Sequence, residues 1–341
     1  MAIWFLGRSQ LTGKARIGII GLGTQGQNHL AVLSEDKRAQ IVGVCDPVKG
    51  LSDAAGKRYG ANSHTDFRKL IEEEHLDAVF VVAPNAFHME MLEFAIDQNL
   101  AIFCEKPMVI TLQDAKKVSE LVHRKRIKFQ MGHNRRFSLV YKKTKELLET
   151  HRIKPYMVGI KMVTGEMIRP AWMTDPKIVG GFLYDTTIHM LDLTRWLFGE
   201  VSTVTCMAQS NIYKTQLDDF WITLTTTNGL MVPILSSGHA SWLPPFERVE
   251  IIGDHSCIIT EEMNRVGFCP GLDRETQVWE YYHLPMTTTW GVQEEDRLFV
   301  DTLLEDKPPV ITVDDGFKSV ELVEACYRSA AKGRQIKLPI K

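Results

Sequence analysis

Between residues 15 and 137, short apolar runs alternate with stretches of helical spacing, and this alternation constrains the fold more than any other feature. The apolar runs lie at 16–20, 41–45, 78–83, 101–104 and 128–131. The helix-like stretches between and after them occupy 25–34, 50–59, 67–73, 87–99 and 112–124. Strands separated in this way pair in parallel, because a parallel pair needs a crossover long enough to hold a helix. The expectation is a doubly wound, Rossmann-type parallel sheet with helices on both faces. Thr111, with Asp114 three residues on, approximates a capping box for the last of these helices.

After a helical stretch at 139–150 the rhythm changes. Segments 157–163, 201–209, 220–226, 230–236, 247–253 and 257–260 are rich in β-branched and aromatic residues. Gly, Asn and Asp turns, such as Asn228-Gly229, join most of them. They predict an open, mostly antiparallel sheet, with a helix at 185–198 covering one face and a last helix at about 316–332. Two domains also suit 341 residues better than one core. The chain divides into an N-terminal extension (1–14), a dinucleotide-binding domain (15–137) and an α+β domain for substrate binding and oligomerisation (138–341).

Forty basic and 42 acidic side chains give a net charge of −2, which argues against bulk electrostatic binding of nucleic acid. The six cysteines are scattered without a C-x-x-C, as expected of reduced thiols in the cytoplasm rather than a disulfide frame or zinc site. No apolar run approaches the roughly 20 residues of a membrane span. Neither a membrane nor a nucleic acid is expected as a partner.

Gly21-Leu22-Gly23-Thr24-Gln25-Gly26 follows the first strand directly and opens a helix. A lone G-x-G-x-x-G is weak, but here the strand-turn-helix context is met, and Asp46 ends the next strand 20 residues beyond Gly26. The glycines admit a pyrophosphate to the helix N-terminus, and Asp46 reaches the adenosine ribose. A carboxylate there repels a 2′-phosphate and favours NAD. Lys49 offsets part of that repulsion, so NADP stays possible. Pro84, Asn85 and His88 follow the 78–83 strand at the sheet's carboxyl edge, where ligands of such sheets lie. His88 either touches the cofactor or only packs at its helix start.

Glu105-Lys106-Pro107 ends the next strand at the same edge. A lysine fixed there can hold a substrate hydroxyl and stabilise the oxyanion formed as hydride leaves. In Gly180-Gly181-Phe182-Leu183-Tyr184-Asp185-Thr186-Thr187-Ile188-His189-Met190-Leu191-Asp192, a helix would stack Asp185, His189 and Asp192 on one face. The spacing suits a proton-handling pair of Asp185 and His189. A metal held by Asp, His and Asp is the rival, but no further protein ligand stands out and no metal is expected. Trp172, Trp242, His283 and Trp290 are further residues for a cavity wall, core or rim.

In one order, the glycine fingerprint, Asp46, Pro84-Asn85…His88, Glu105-Lys106-Pro107, Gly132-His133-Asn134-Arg135-Arg136-Phe137 and Gly180-Gly181…Asp185…His189…Asp192 resemble the glucose–fructose oxidoreductase/inositol dehydrogenase/MocA family. The resemblance runs from about residue 15 to the end. It implies an NAD(P)-dependent sugar or polyol dehydrogenase with Lys106, Asp185 and His189 as its catalytic group. It implies Gly21, Gly23, Thr24, Gln25, Gly26, Asp46, Pro84, Asn85, His88, Glu105 and Lys106 around the cofactor, and a cis peptide before Pro107. A homodimer or homotetramer and a cytoplasmic location are also implied. Thr187 replaces a glycine common in the family, and His133 stands where an apolar or aromatic residue is usual. The rival functions are NAD-assisted glycoside cleavage and a catalytically silent dinucleotide-sensing regulator.

Overall fold

A computed structural model describes residues 13–150, 152–165, 171–241 and 245–340. The expected extension falls almost wholly outside these residues, as does Trp242. The first sheet comprises β1 (Ala15–Ile20), β2 (Ala39–Cys45), β3 (Asn62–His64), β4 (Ala78–Val81), β5 (Ala101–Glu105) and β6 (Phe129–Gly132). All pairs are parallel, in the order β3-β2-β1-β4-β5-β6, so the order reverses between β1 and β4. Both faces are covered, which is why β4 and most of β5 are apolar without alternation. Helices α1 (Thr24–Glu35), α2 (Lys49–Tyr59), α3 (Phe67–Glu73), α4 (His88–Asp97) and α5 (Leu112–Lys125) supply the crossovers. Thr111 caps α5 as its spacing predicts, accepting the Asp114 N–H at 3.0 Å.

Helix α6 (Leu139–Glu149) leads to β7 (Met157–Val163), followed by the short α7 (Pro176–Val179) and by α8 (Ile188–Phe198). Strands β8 (Val201–Gln209), β9 (Asp219–Thr226), β10 (Met231–Ser237), β11 (Glu247–Ile252), β12 (Cys257–Glu261), β13 (Arg265–Cys269) and β14 (Gln277–Glu280) follow. The chain ends through α9 (Met286–Thr289), α10 (Val292–Leu304), α11 (Val313–Lys332) and β15 (Ile336–Lys337). The nine-stranded sheet runs β14-β13-β12-β11-β7-β10-β9-β8-β15, with only β7 and β10 parallel. Burial alternates along β9 and β10, so one face packs and the other lies open. The packed face meets the π-turn before α8 and helix α11, through Phe182 on Phe220 and through Ser329 Oγ, which accepts the Cys206 N–H.

Helix α10 departs from the sequence-based division. By position it belongs to 138–341, yet Phe299 packs edge-on against Phe80 of β4 and Phe103 of β5. Its apolar face thus completes one cover of the first sheet, tying the second segment to the carboxyl-edge elements.

Candidate functional site

The fingerprint turn shows why its glycines are glycines. A Cβ on Gly26 would lie 2.0 Å from the Gly21 carbonyl oxygen, so α1 could not approach β1. Gly23, the N-cap of α1, has nothing within 4 Å of a built Cβ and no side-chain cap. It therefore leaves the helix N-terminus open to an anion. Thr24 is exposed and Gln25 half-buried on the same turn. Asp46 is nearly buried; its two oxygens accept the N–H groups of Leu22 (3.0 Å) and Val48 (2.9 Å). The carboxylate is locked beside the fingerprint.

At the β4 edge the side chains turn inward. Asn85 Nδ2 donates to the Val179 carbonyl at 2.9 Å, tying this loop to α7. His88 is fully buried, its ring nitrogens 2.8 Å from the Pro107 carbonyl and 2.7 Å from that of Ala83. Burial lowers its pKa, against the opposing pull of the two carbonyls. The His88 ring braces the loop after β4 against the turn after β5. The Glu105 side chain also turns inward. Its Oε1 lies 3.3 Å from His29 Nε2 and its Oε2 accepts the Lys106 N–H at 3.0 Å. The carboxylate faces the interior behind the lysine.

The Lys106–Pro107 peptide is cis. Half-buried Lys106 sends its ammonium to the main-chain carbonyl of Asp185. Residues Leu183–Thr187 form a π-helical turn, not the expected α-helix, before α8 begins. Gly181, at φ +110°, enters that turn, and a Cβ there would strike the Tyr327 hydroxyl at 2.4 Å. No hydrogen bond joins Asp185 to His189 across this turn. Instead the Asp185 carboxylate accepts the Thr186 hydroxyl at 3.2 Å.

His189 is 7 % exposed and its Nδ1 has no partner. Burial pushes its pKa well below the ordinary value, and the charges of Arg135, Lys106 and His133 push the same way. Asp192 belongs to another cluster. Arg136 binds it through both carboxylate oxygens at 2.7 and 2.6 Å, and Arg136 also pairs with Asp315 of α11. Burial raises the Asp192 pKa, but His133, Arg136 and Arg195 outweigh it and hold it at about 2. The three residues of one predicted face therefore split into a main-chain anchor for Lys106, a neutral imidazole and a buried ion-pair knot.

Arg135 emerges only from the structure. It is buried, pairs with Glu247 at 3.2 Å and lies over the Trp290 ring at 4.5 Å. Its signal was the basic doublet in Gly132–Phe137, which spacing alone could not resolve into one cation for His189 and one for Asp192. Thr187 is buried, with Oγ1 2.7 Å from Ser236 Oγ on β10. Trp172 and His283 are exposed.

Residues 15–133 match the model of an oxidoreductase family with an NAD-binding Rossmann fold, and residues 145–338 match that family's C-terminal alpha/beta domain. Inositol 2-dehydrogenase of Salmonella typhimurium is 26 % identical over 344 residues, covering 96 % of this chain and 98 % of that protein. An oxidoreductase from Agrobacterium radiobacter, solved with NAD+, L-tartaric acid and magnesium, superposes with a TM-score of 0.85 at 22 % identity, covering 95 % and 98 % of the two chains. Myo-inositol 2-dehydrogenase from Lactobacillus plantarum gives 0.82 at 24 % identity, covering 95 % and 99 %. At such identities these structures speak for the fold.

Proposed function

The chain belongs to the glucose–fructose oxidoreductase/inositol dehydrogenase/MocA family of NAD-binding oxidoreductases, and from that premise we propose that it oxidises a secondary alcohol of a sugar or cyclic polyol. The open N-terminus of α1 at Gly23 and the fixed Asp46 carboxylate fit a dinucleotide, with NAD preferred over NADP. Bound NAD supplies the hydride acceptor.

The chain's own residues handle the oxygen and the proton. Lys106 holds the reacting oxygen: one of its three ammonium protons goes to the Asp185 carbonyl, and the others remain for substrate. The positive charge favours the alkoxide character that develops as the C–H bond breaks. His189 accepts the hydroxyl proton, which requires a neutral ring, and burial with the cations around it keeps the ring neutral. Asp185 serves through its main chain, aiming Lys106. Reduction of a ketone uses the same groups in reverse.

The observation that carries this reading is the anchoring of the Lys106 ammonium on the turn that leads into a buried, neutral His189. The test is NADH formation across inositols, aldoses, anhydrosugars and sugar acids, with Lys106→Met and His189→Ala alongside. Turnover of a polyol or sugar by the unaltered protein and its loss in both variants support the reading. NAD binding without NADH from any of these classes counts against it.

A further inference from the structure

Behind the Lys106 turn lies a cluster of buried charge that the proposed reaction does not use. His29 of α1 is fully buried, its ring packed against Phe80 and Phe103. Its Nδ1 lies 2.9 and 3.0 Å from the two carboxylate oxygens of Asp296 on α10. Its Nε2 points to Glu105. Glu295, beside Asp296, is also fully buried, and neither of its carboxylate oxygens has a partner. One ligand atom each from His29, Glu105 and Glu295 lie within 4.8 Å of one another.

Three carboxylates and one imidazole share this space, none more than 5 % exposed. Glu295 has no hydrogen-bond partner, and one of its oxygens lies with the other two donors, in the place a cation would take. The other half of the pattern is independent of Glu295. A histidine that binds a metal through one ring nitrogen characteristically donates its other N–H to a carboxylate, which fixes the ring's tautomer and direction. Asp296 stands in that relation to His29. A crevice of about 360 Å³ between α1 and α10, lined in part by Asp36, Arg38, Asp296 and Arg297, approaches the cluster from the surface.

We propose that His29, Glu105 and Glu295 bind one divalent first-row transition-metal ion, with Asp296 orienting His29. One imidazole and two carboxylates suit zinc or manganese. An ion centred among the three donors is at most about 2.8 Å from each, and small side-chain adjustments close that to the ~2.0–2.2 Å of Zn–N and Zn–O bonds. The ion ties α10 to the strand end that carries Lys106, so its role is structural and does not depend on the proposed substrate. Positions 29, 105 and 295 lie far apart in the chain, which is why spacing along the sequence points to no metal.

The test uses the full-length protein, stripped with a chelator and titrated with Co²⁺, Zn²⁺ and Mn²⁺. Metal content, Co²⁺ visible absorption and thermal unfolding are read together. One equivalent per chain, a d–d spectrum and a raised Tm are expected. Glu295→Gln and His29→Asn each abolish stoichiometric binding, and Asp296→Asn weakens it about 10–100-fold. The Co²⁺ titration of the unaltered protein needs no variant to fold. Absence of stoichiometric binding with all three ions overturns the proposal. So does binding that survives Glu295→Gln but is lost in His239→Asn, because the second cluster of Asp218, Asp219 and His239 is then the site.

Discussion

Replacing Lys106 by Met tests the proposed chemistry twice in one variant. Met keeps much of the side-chain length and removes the charge. The folded state loses one hydrogen bond, that to the Asp185 carbonyl, worth about 1.5–3 kcal/mol for a charged donor and less at this half-buried position. The transition state loses more, since the ammonium is the donor proposed to face the developing alkoxide. A donor of that kind is worth a factor on the order of 10²–10³ in kcat, or about 2.7–4 kcal/mol. The second effect is on His189. Burial is the largest cause of its lowered pKa, with the Arg135 and Lys106 charges following. Removing one cation makes imidazolium less unfavourable, so the pKa rises toward the ordinary 6.5. The base must be neutral to act, so the rate of alcohol oxidation rises with pH through this ionisation. In the unaltered protein that limb lies below pH 6.5, and in Lys106→Met it moves upward. The assay is initial NADH formation at saturating NAD and saturating best substrate, at closely spaced pH values. An unchanged kcat with a raised KM would reduce Lys106 to ground-state binding. A limb that stays in place would refute the electrostatic link to His189.

Three further outcomes follow from the same geometry. Asp185→Asn keeps the carbonyl that anchors Lys106, so the pH–rate limb stays where it is in the unaltered protein; a shift to lower pH would restore the carboxylate–imidazole pairing expected from helical spacing. Asp46→Ala narrows the difference between NAD and NADP affinities in calorimetry, and tighter NADP binding by the unaltered protein would sink the repulsion argument. Asp192, held at about 2, is depressed below an unfolded value near 3.9, so its stabilisation is complete above that value. The contribution, about 2–3 kcal/mol, is lost as pH falls from about 4 to about 2. Urea unfolding of Asp192→Asn should show lower stability at neutral pH and a flatter acid limb over that range; an unflattened limb would show that other carboxylates carry it.

The first sheet was legible because a parallel strand buried on both faces is apolar throughout, and its runs stand out against the helices. Strand β3 was not, because Asn62, Ser63 and His64 form a short edge with no apolar signature. Strand β13 escaped because, with one face open, half its positions are free to be polar, and β14 because none of its four residues is buried. Helix α10 hid in a different way. Its pattern is amphipathic, but nothing local indicates that Phe299 packs on Phe80 and Phe103 instead of on the second sheet. Period reports that a face is buried. It does not report against what.

The site divides along the same line. The fingerprint, Asp46 and Lys106 are set by strand ends, and a strand end is readable from the run before it. The Asp185–His189 pairing rested on spacing alone, whereas the Asp185 carboxylate turns to the Thr186 hydroxyl. The π-turn there depends on Gly181 lying under Tyr327, 146 positions along the chain, and no local pattern encodes such a contact. The consequence is chemical. A carboxylate held against the imidazole would favour imidazolium and weaken the base near neutral pH. The π-turn gives the lysine a main-chain carbonyl and leaves His189 among cations, neutral over a wider range. A pH–rate limb below 6.5 that is insensitive to Asp185→Asn would show that the Asp185 carboxylate takes no part in setting the His189 ionisation.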